Sequence, residues 1–402
     1  MNDIKKQSHH ISPVVYESRT EHINLGGVTG IAAHGLRLLS RLGIHDDILA
    51  KGVEIPKFVL HSLKGKTMGE ASMMSWTKKQ TGFGNVRIRS VDVMDVLLDA
   101  VRNADIPVLY GKRLVGIEEK DAVITASFSD GTQDSADFLL GCDGIHSAVR
   151  KLYVDPECIP EYSGIANMFS LIPAIDLLPS VPLLENMNVT LTSDGLFGLS
   201  PVTPSRDRLY WSFYREIRLP ATGDVREGWE EQNEKEIANL KSNLLHLFGH
   251  DNSDWMTFLR DVLDKTEAIS FYPIYKMPPG RPWSKGRCLI IGDAAHALQP
   301  HGMQGISMAL EDVFLFSKLL ASGSDRLEVG LQAYEEKRKA RTEKVARTSE
   351  QNGAMRPKAT PLQLLLIELA VSVGLWIYKM AGLDKFGFGQ EPIVYDIDDE
   401  QF

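Results

Sequence analysis

Between Arg287 and Asp312 the chain reads RCLIIGDAAHALQPHGMQGISMALED, and this run restricts the fold more than any other. Cys288, Leu289, Ile290 and Ile291 are a short continuous apolar run, which suits a strand buried on both faces. Gly292 ends the run and Asp293 follows at once. A carboxylate is thereby placed at the carboxyl end of a parallel strand, where open α/β sheets bind ligands. Pro300, Gly302 and Gly305 then make a loop in which backbone can approach another group closely. From Ile306 onward apolar residues recur at helical spacing, through Leu310, Val313 and Leu320, with Ala309, Phe314 and Phe316 beside them. The segment therefore reads as strand, acidic turn, glycine loop and helix N-terminus. The free N–H groups and positive dipole end of such a terminus stabilise an anion placed there.

A chain of 402 residues can form two domains sharing one large core. Its formal net charge of -9 gives no reason to expect nucleic acid or an anionic membrane surface as partner. Cys142, Cys158 and Cys288 lack metal-like or CxxC spacing, which fits reduced thiols in a cytoplasmic protein and no bound metal. The opening MNDIKKQSHH has no apolar core of the kind a secretory signal needs. One segment complicates a soluble reading. Residues 362–381, LQLLLIELAVSVGLWIYKMA, are about as long as a membrane span, but Glu368 would sit near its middle. A helix packed on the protein or lying against a membrane face is expected there instead of a span.

Taken in order, Pro13 to Tyr16 reads as a strand ending in Glu17, and an acidic residue at that place in a Rossmann unit holds a ribose hydroxyl. Leu36, Leu39 and Leu42 form an apolar stripe ended by Gly43. Val86 to Arg89 leads into a helical pattern from Val91 to Arg102. Strands are expected over Val108–Tyr110, Leu114–Glu118 and Ala122–Phe128, with a hairpin at Asp130–Gly131. Phe138-Leu139-Leu140 then enters GCDGIHSAVR, residues 141–150. From 155 to 280 strand-like runs punctuated by Pro and Gly dominate. Within them Tyr210, Trp211, Phe213 and Tyr214 would either line an aromatic pocket or alternate between the two faces of a half-buried strand. Arg226 to Leu247 is a charged helix pattern, and Tyr334 to Gln351 is a second one, expected to be a solvated face.

The GDAAH run with its glycine loop, and the GCDGxxSxxR run, resemble the "GD" and "DG" motifs of the single-component flavoprotein monooxygenases, the p-hydroxybenzoate hydroxylase and salicylate hydroxylase-like family. The resemblance runs from about Pro13 to Gln351. It implies an α/β fold: a Rossmann-like FAD-binding domain over residues 1–154 and 281–355, an inserted antiparallel-sheet substrate domain over 155–280, and a C-terminal apolar helix and acidic tail over 356–402. It implies that Asp293 holds the ribityl hydroxyls of FAD, that backbone at Gly305 and Ile306 faces the flavin pyrimidine edge, and that Glu17 holds the adenosine ribose. An arginine before the Val91 helix would contact FAD, with Arg89 the best match and Arg87 on the same strand face competing. Asp143 would support its turn, and Arg150 would face the groove where the nicotinamide cofactor passes.

The resemblance also implies chemistry. NADH or NADPH reduces FAD, reduced flavin and O2 give a C4a-hydroperoxyflavin, and one oxygen atom passes to a small organic substrate, phenolic, polyketide or terpenoid and of secondary metabolism, which is hydroxylated or epoxidised. No residue is identified as an obligatory catalytic group. The family's opening strand, GxGxxG turn and helix have no counterpart here. Gly82-Phe83-Gly84 lacks the third glycine, and Gly26-Gly27 with Gly30 has the wrong spacing. A shortened chain and a degenerate member that keeps the fold without holding FAD, acting as a binding protein, are both compatible with that gap.

Overall fold

The computed structural model describes residues 11–22, 26–72, 74–175, 177, 184–221, 223–224, 226–299, 302–321, 327–353 and 358–400. Pro300 lies outside them.

The apolar run after Arg287 is a strand, Cys288–Ile290, with all three side chains buried. It pairs in parallel with Leu139–Gly141, the strand that leads into the GCDG run, so the two motifs leave one sheet at the same end. Gly141 is needed for that pairing, because a Cβ there would lie 2.8 Å from Ile290 Cγ2 and 2.9 Å from Val149 Cβ. Ser284–Lys285 adds an antiparallel edge. A separate parallel ladder joins Val15–Tyr16 to Val108–Leu109. Among the described residues the two ladders are not hydrogen-bonded to each other. The core under the GD turn combines Leu289, Ile290 and Ile291 with Leu315, Phe316 and Leu319 of the following helix, Gly305–Ala321.

The second body is a seven-stranded sheet in the order 270–276, 161–173, 208–216, 196–201, 187–191, 57–61, 67–72. Its neighbours are antiparallel except for Met187–Leu191 beside Lys57–His61. Two of its strands come from residues 57–72, ahead of residue 155, so in space the sheet is not confined to 155–280. Helices Arg226–Phe248 and Asp254–Asp264 cover one face. There Trp211 and Phe213 join Phe197, Leu240, Leu244 and Leu259 in a buried core. Ser253 caps the second of these helices by accepting the Met256 N–H. Period-two alternation sends Tyr210, Ser212 and Tyr214 to the other face. The alternation reading thus holds along the strand, and of its four aromatics Tyr214 is the one that lines the cavity beside the GD turn.

A third cluster packs helix Ala33–Arg41 against strand Val86–Arg89 and helix Ser90–Asn103 through Ile31, Leu36, Leu39, Val86, Ile88 and Val93. Helix Leu327–Gly353 departs from the expected solvated face, since Tyr334, Arg338, Thr342 and Val345 are buried and Arg341 nearly so. The reason is pairing: Arg338 and Arg341 meet carboxylates on the Gly305 helix.

The apolar C-terminal segment is helix Pro361–Met380, begun by a reciprocal capping box between Thr360 and Gln363. It lies along strand Thr67–Ser72, where Gly69 leaves room for Leu375 and Glu368 accepts the Leu63 N–H. Its opposite face is open, with Leu366, Leu369, Val373 and Trp376 exposed. Among the described residues it is the one helix long and apolar enough to cross a membrane. The acidic tail is structural in part: Asp396 binds Arg37 and Arg41, and Ile397 is buried.

Candidate active site

Gly292 ends its strand at φ 59°, in the left-handed region that glycine adopts without strain. That turn points Asp293 into a cavity of about 320 Å3 between the GD loop and the uncovered face of the large sheet. The carboxylate opens onto the cavity. Desolvation by the surrounding protein raises its pKa, with His296 opposing and Asp312 adding.

The turn is held from beneath. Asp312 accepts the Gly292 N–H at 2.8 Å and contacts His296 Nε2 at 2.6 Å through one oxygen. Its other oxygen accepts from Arg338 Nε at 2.6 Å. Arg338 also donates to Glu311 at 2.6 Å and to the Met308 carbonyl at 3.1 Å. Glu311 is further met by Arg341 at 3.1 Å and by His34 Nδ1 at 2.6 Å. Burial would raise the Glu311 and Asp312 carboxyls, but the histidine and arginine side chains that face them win and hold both below their ordinary values. Charges this deep are tolerable because each is paired.

Gly305 begins the 17-residue helix, and space is open where a Cβ would stand. Its first-turn N–H groups, at the positive end of the helix, are available to an anionic ligand. Ile306 is half-buried against the third core cluster, so its side chain faces away from the cavity and its backbone is the part at the helix start. Gly30 lines the cavity opposite, where a Cβ would lie 2.7 Å from that of Met303. Met303 itself holds φ 52°, a strained value for a side-chain-bearing residue.

The remaining sequence candidates are spread out. Glu17 is half-buried at the end of its strand, does not line the cavity, and accepts the Arg19 N–H at 2.9 Å. Arg89 forms a two-pronged pair with Asp92, at 2.6 and 2.7 Å. Arg87, on the same strand face, is 7% exposed and lines the cavity. Asp143 supports its turn as expected, accepting the Ala148 and Val149 N–H groups. Arg150 does not face a groove. It is 1% exposed and donates to the Ala294 carbonyl at 2.6 Å and to the Ile145 carbonyl, bracing the DG element against the GD element. Burial in that joint is what turns it inward. Sequence reasoning passed over Arg338, Met303 and His296, which shape the turn and the loop.

These features fit a flavin cofactor. An acidic residue at a strand end, a glycine loop with vacant space and a helix N-terminus converge on one cavity whose far wall is apolar sheet.

The family described as "FAD binding domain" matches residues 8–349. The 6-hydroxynicotinate 3-monooxygenase of Pseudomonas fluorescens is 26% identical over 349 residues, covering 86% of each chain. The FAD-dependent urate hydroxylase of Mycolicibacterium vanbaalenii is 28% identical over 342 residues, covering 84% of this chain and 80% of that one. Among solved structures, Klebsiella pneumoniae HpxO complexed with FAD and uric acid superposes with a TM-score of 0.73 at 20% identity, covering 92% of this chain and 89% of that one. The chain belongs to the FAD-binding-domain family, as an enzyme of the FAD-dependent, aromatic-hydroxylase type of monooxygenase.

Proposed function

We propose that the protein takes electrons from NADH or NADPH and uses O2 to hydroxylate a small aromatic or heteroaromatic compound. The observation that carries this reading is the shared cavity. Asp293, Gly302 and Gly305 bound one side of it, and Met187, Val189, Leu196 and Tyr214 of the large sheet bound the other. A cofactor held by the first set would lie against a substrate held by the second. Two of the similar enzymes, named for 6-hydroxynicotinate and for urate, act on single or fused nitrogen rings, which supports a flat heteroaromatic substrate.

Bound FAD supplies two-electron redox chemistry and the activation of dioxygen. The chain's own part is positioning and electrostatics. Asp293 would accept hydroxyl hydrogens of the ribityl chain. The N–H groups at Gly305 and Ile306 would stabilise negative charge on the reduced ring system. Glu17 would take the adenosine ribose, and Arg89 or Arg87 would contact the cofactor or what lies beside it. The apolar sheet wall limits water at the reacting atoms.

The test is the visible absorption spectrum of the purified protein after FAD is added and excess removed, followed by NADH and NADPH oxidation with candidate heteroaromatic acids and phenols. Flavin bands near one per chain, lost in Asp293→Ala, are expected, together with substrate-dependent NAD(P)H consumption. A protein that stays colourless after loading would overturn the proposal.

A further inference from the structure

Arg87 makes the cavity chemically selective. Strand alternation puts Val86 and Ile88 into the third core cluster and sends Arg87 the opposite way, toward the sheet. The guanidinium finds little there to balance it. Its Nη1 lies 3.3 Å from the Met303 thioether sulfur, its centre is 5.4 Å from the Tyr210 ring, and among the described residues its Nε has no hydrogen-bond partner. Gly30, directly across the ladder, offers no side chain. Among the described residues Asp293 is the one carboxylate lining the cavity. Nearby Arg89 shows the contrast, saturated by Asp92.

An arginine stays charged when buried, and a buried charge without a counter-charge is costly unless a ligand completes it. Its rigid fork of donors matches an oxyanion such as a carboxylate or a phosphate. In the same cavity Phe58, Met187, Val189 and Leu196 offer apolar walls. We propose that Arg87 anchors an oxyanion, and that the molecule carrying it is the substrate, a small flat aromatic or heteroaromatic acid whose carboxylate or ring oxyanion meets the guanidinium. This rests on the monooxygenase reading for the word substrate, but the anion preference stands on the cavity itself.

The experiment is calorimetric titration of the FAD-loaded protein, and of the protein without added FAD, with four acids: benzoate, 4-hydroxybenzoate, nicotinate and 6-hydroxynicotinate. Each is paired with its neutral amide. At least one acid should bind tenfold or more tightly than its amide. Arg87→Gln should erase that preference by weakening the acid and leaving the amide nearly unchanged, and Arg87→Lys should keep part of it. Lys also serves if the Gln protein folds poorly. Equal binding of acid and amide in every pair, or no binding by any acid, overturns the proposal. So does a result in which Arg87→Gln weakens FAD but neither riboflavin nor the acids, since the oxyanion would then be the cofactor's pyrophosphate. If the acid preference holds while FAD fails to bind, the anion site stands and the monooxygenase reading falls. If flavin binds and turns over without any acid preference, the reverse is true.

Discussion

Asp312 accepts a hydrogen bond from the Gly292 N–H, joining the helix that follows the glycine loop to the turn that precedes it. The same carboxylate neutralises Arg338, which is fully buried. Replacing Asp312 by Asn keeps an acceptor for Gly292 but leaves the guanidinium with Glu311 as its only paired carboxylate among the described residues. Breaking a buried pair in this way costs about 3–5 kcal/mol. Asp312→Asn should therefore lower the urea midpoint markedly, and Asp312→Asn with Arg338→Met should recover part of the loss. A double variant less stable than the single one would mean that the network acts through packing and not charge.

The GD turn was legible because it is local: an apolar run, a glycine at a forced φ and a carboxylate lie in consecutive positions. The hairpin at Asp130–Gly131 and the strands around it were legible for the same reason. Arg338 was not. On its own helix it reads as one more solvated charge, and its partners Glu311 and Asp312 are on a different helix. The choice between Arg87 and Arg89 was also closed to periodicity, since both face one way. Asp92, one turn into the next helix, pairs with Arg89 and leaves Arg87 without that partner, and the i,i+3 spacing was the available signal for the pair. Strands 57–61 and 67–72 were missed because what makes them part of the large sheet is pairing with Met187–Leu191, remote in sequence.

Met303 sits in the left-handed region at φ 52°. For a residue with a Cβ that conformation costs roughly 1–2 kcal/mol, and glycine avoids it. Met303→Gly should raise the melting temperature by a few degrees despite the greater freedom it gives the unfolded chain. It also removes the thioether from Arg87 and opens space beside Gly30. Thermal scans with and without nicotinate check both effects. A drop in melting temperature would show that the side chain's packing outweighs the backbone strain.

The open face of helix Pro361–Met380 carries Leu366, Leu369, Val373 and Trp376, all more than 45% exposed. Burial elsewhere does not depend on them, whereas a contiguous apolar patch favours self-association or surface adsorption. Gln at Leu369, Val373 and Trp376 together should change the unfolding free energy by no more than about 0.5 kcal/mol per position, as for ordinary surface changes. The triple variant should stay in solution at concentrations where the parent is lost to aggregation, read by light scattering. If it unfolds instead, the face is covered by part of the protein itself.

Stability should fall with acid in two stages. His34 is 1% exposed, and burial lowers its pKa below the ordinary value near 6.5, with Glu311 opposing. His61, also buried, is lowered by desolvation, with Asn188 opposing. Below about pH 6.5 the unfolded chain binds protons at these imidazoles that the folded chain does not, so stability drops as pH falls, by up to about 1.4 kcal/mol per unit and per group. The sign is reached differently for Glu311 and Asp312, whose folded pKa values are depressed. Their contribution is complete above the unfolded carboxyl pKa near 4 and is lost as pH falls through the folded values. Urea midpoints from pH 8 to pH 4 should be flat at first, then decline from about pH 6.5, then steepen near pH 4. His34→Gln should lower the whole curve, by removing a neighbour of Glu311, and flatten its pH 6.5 to 5 portion, leaving the share due to His61 and to His146, which burial also lowers. Stability that rises on acidification between pH 7 and pH 5 would mean that His34 is held charged against Glu311, reversing the sign assigned to it here.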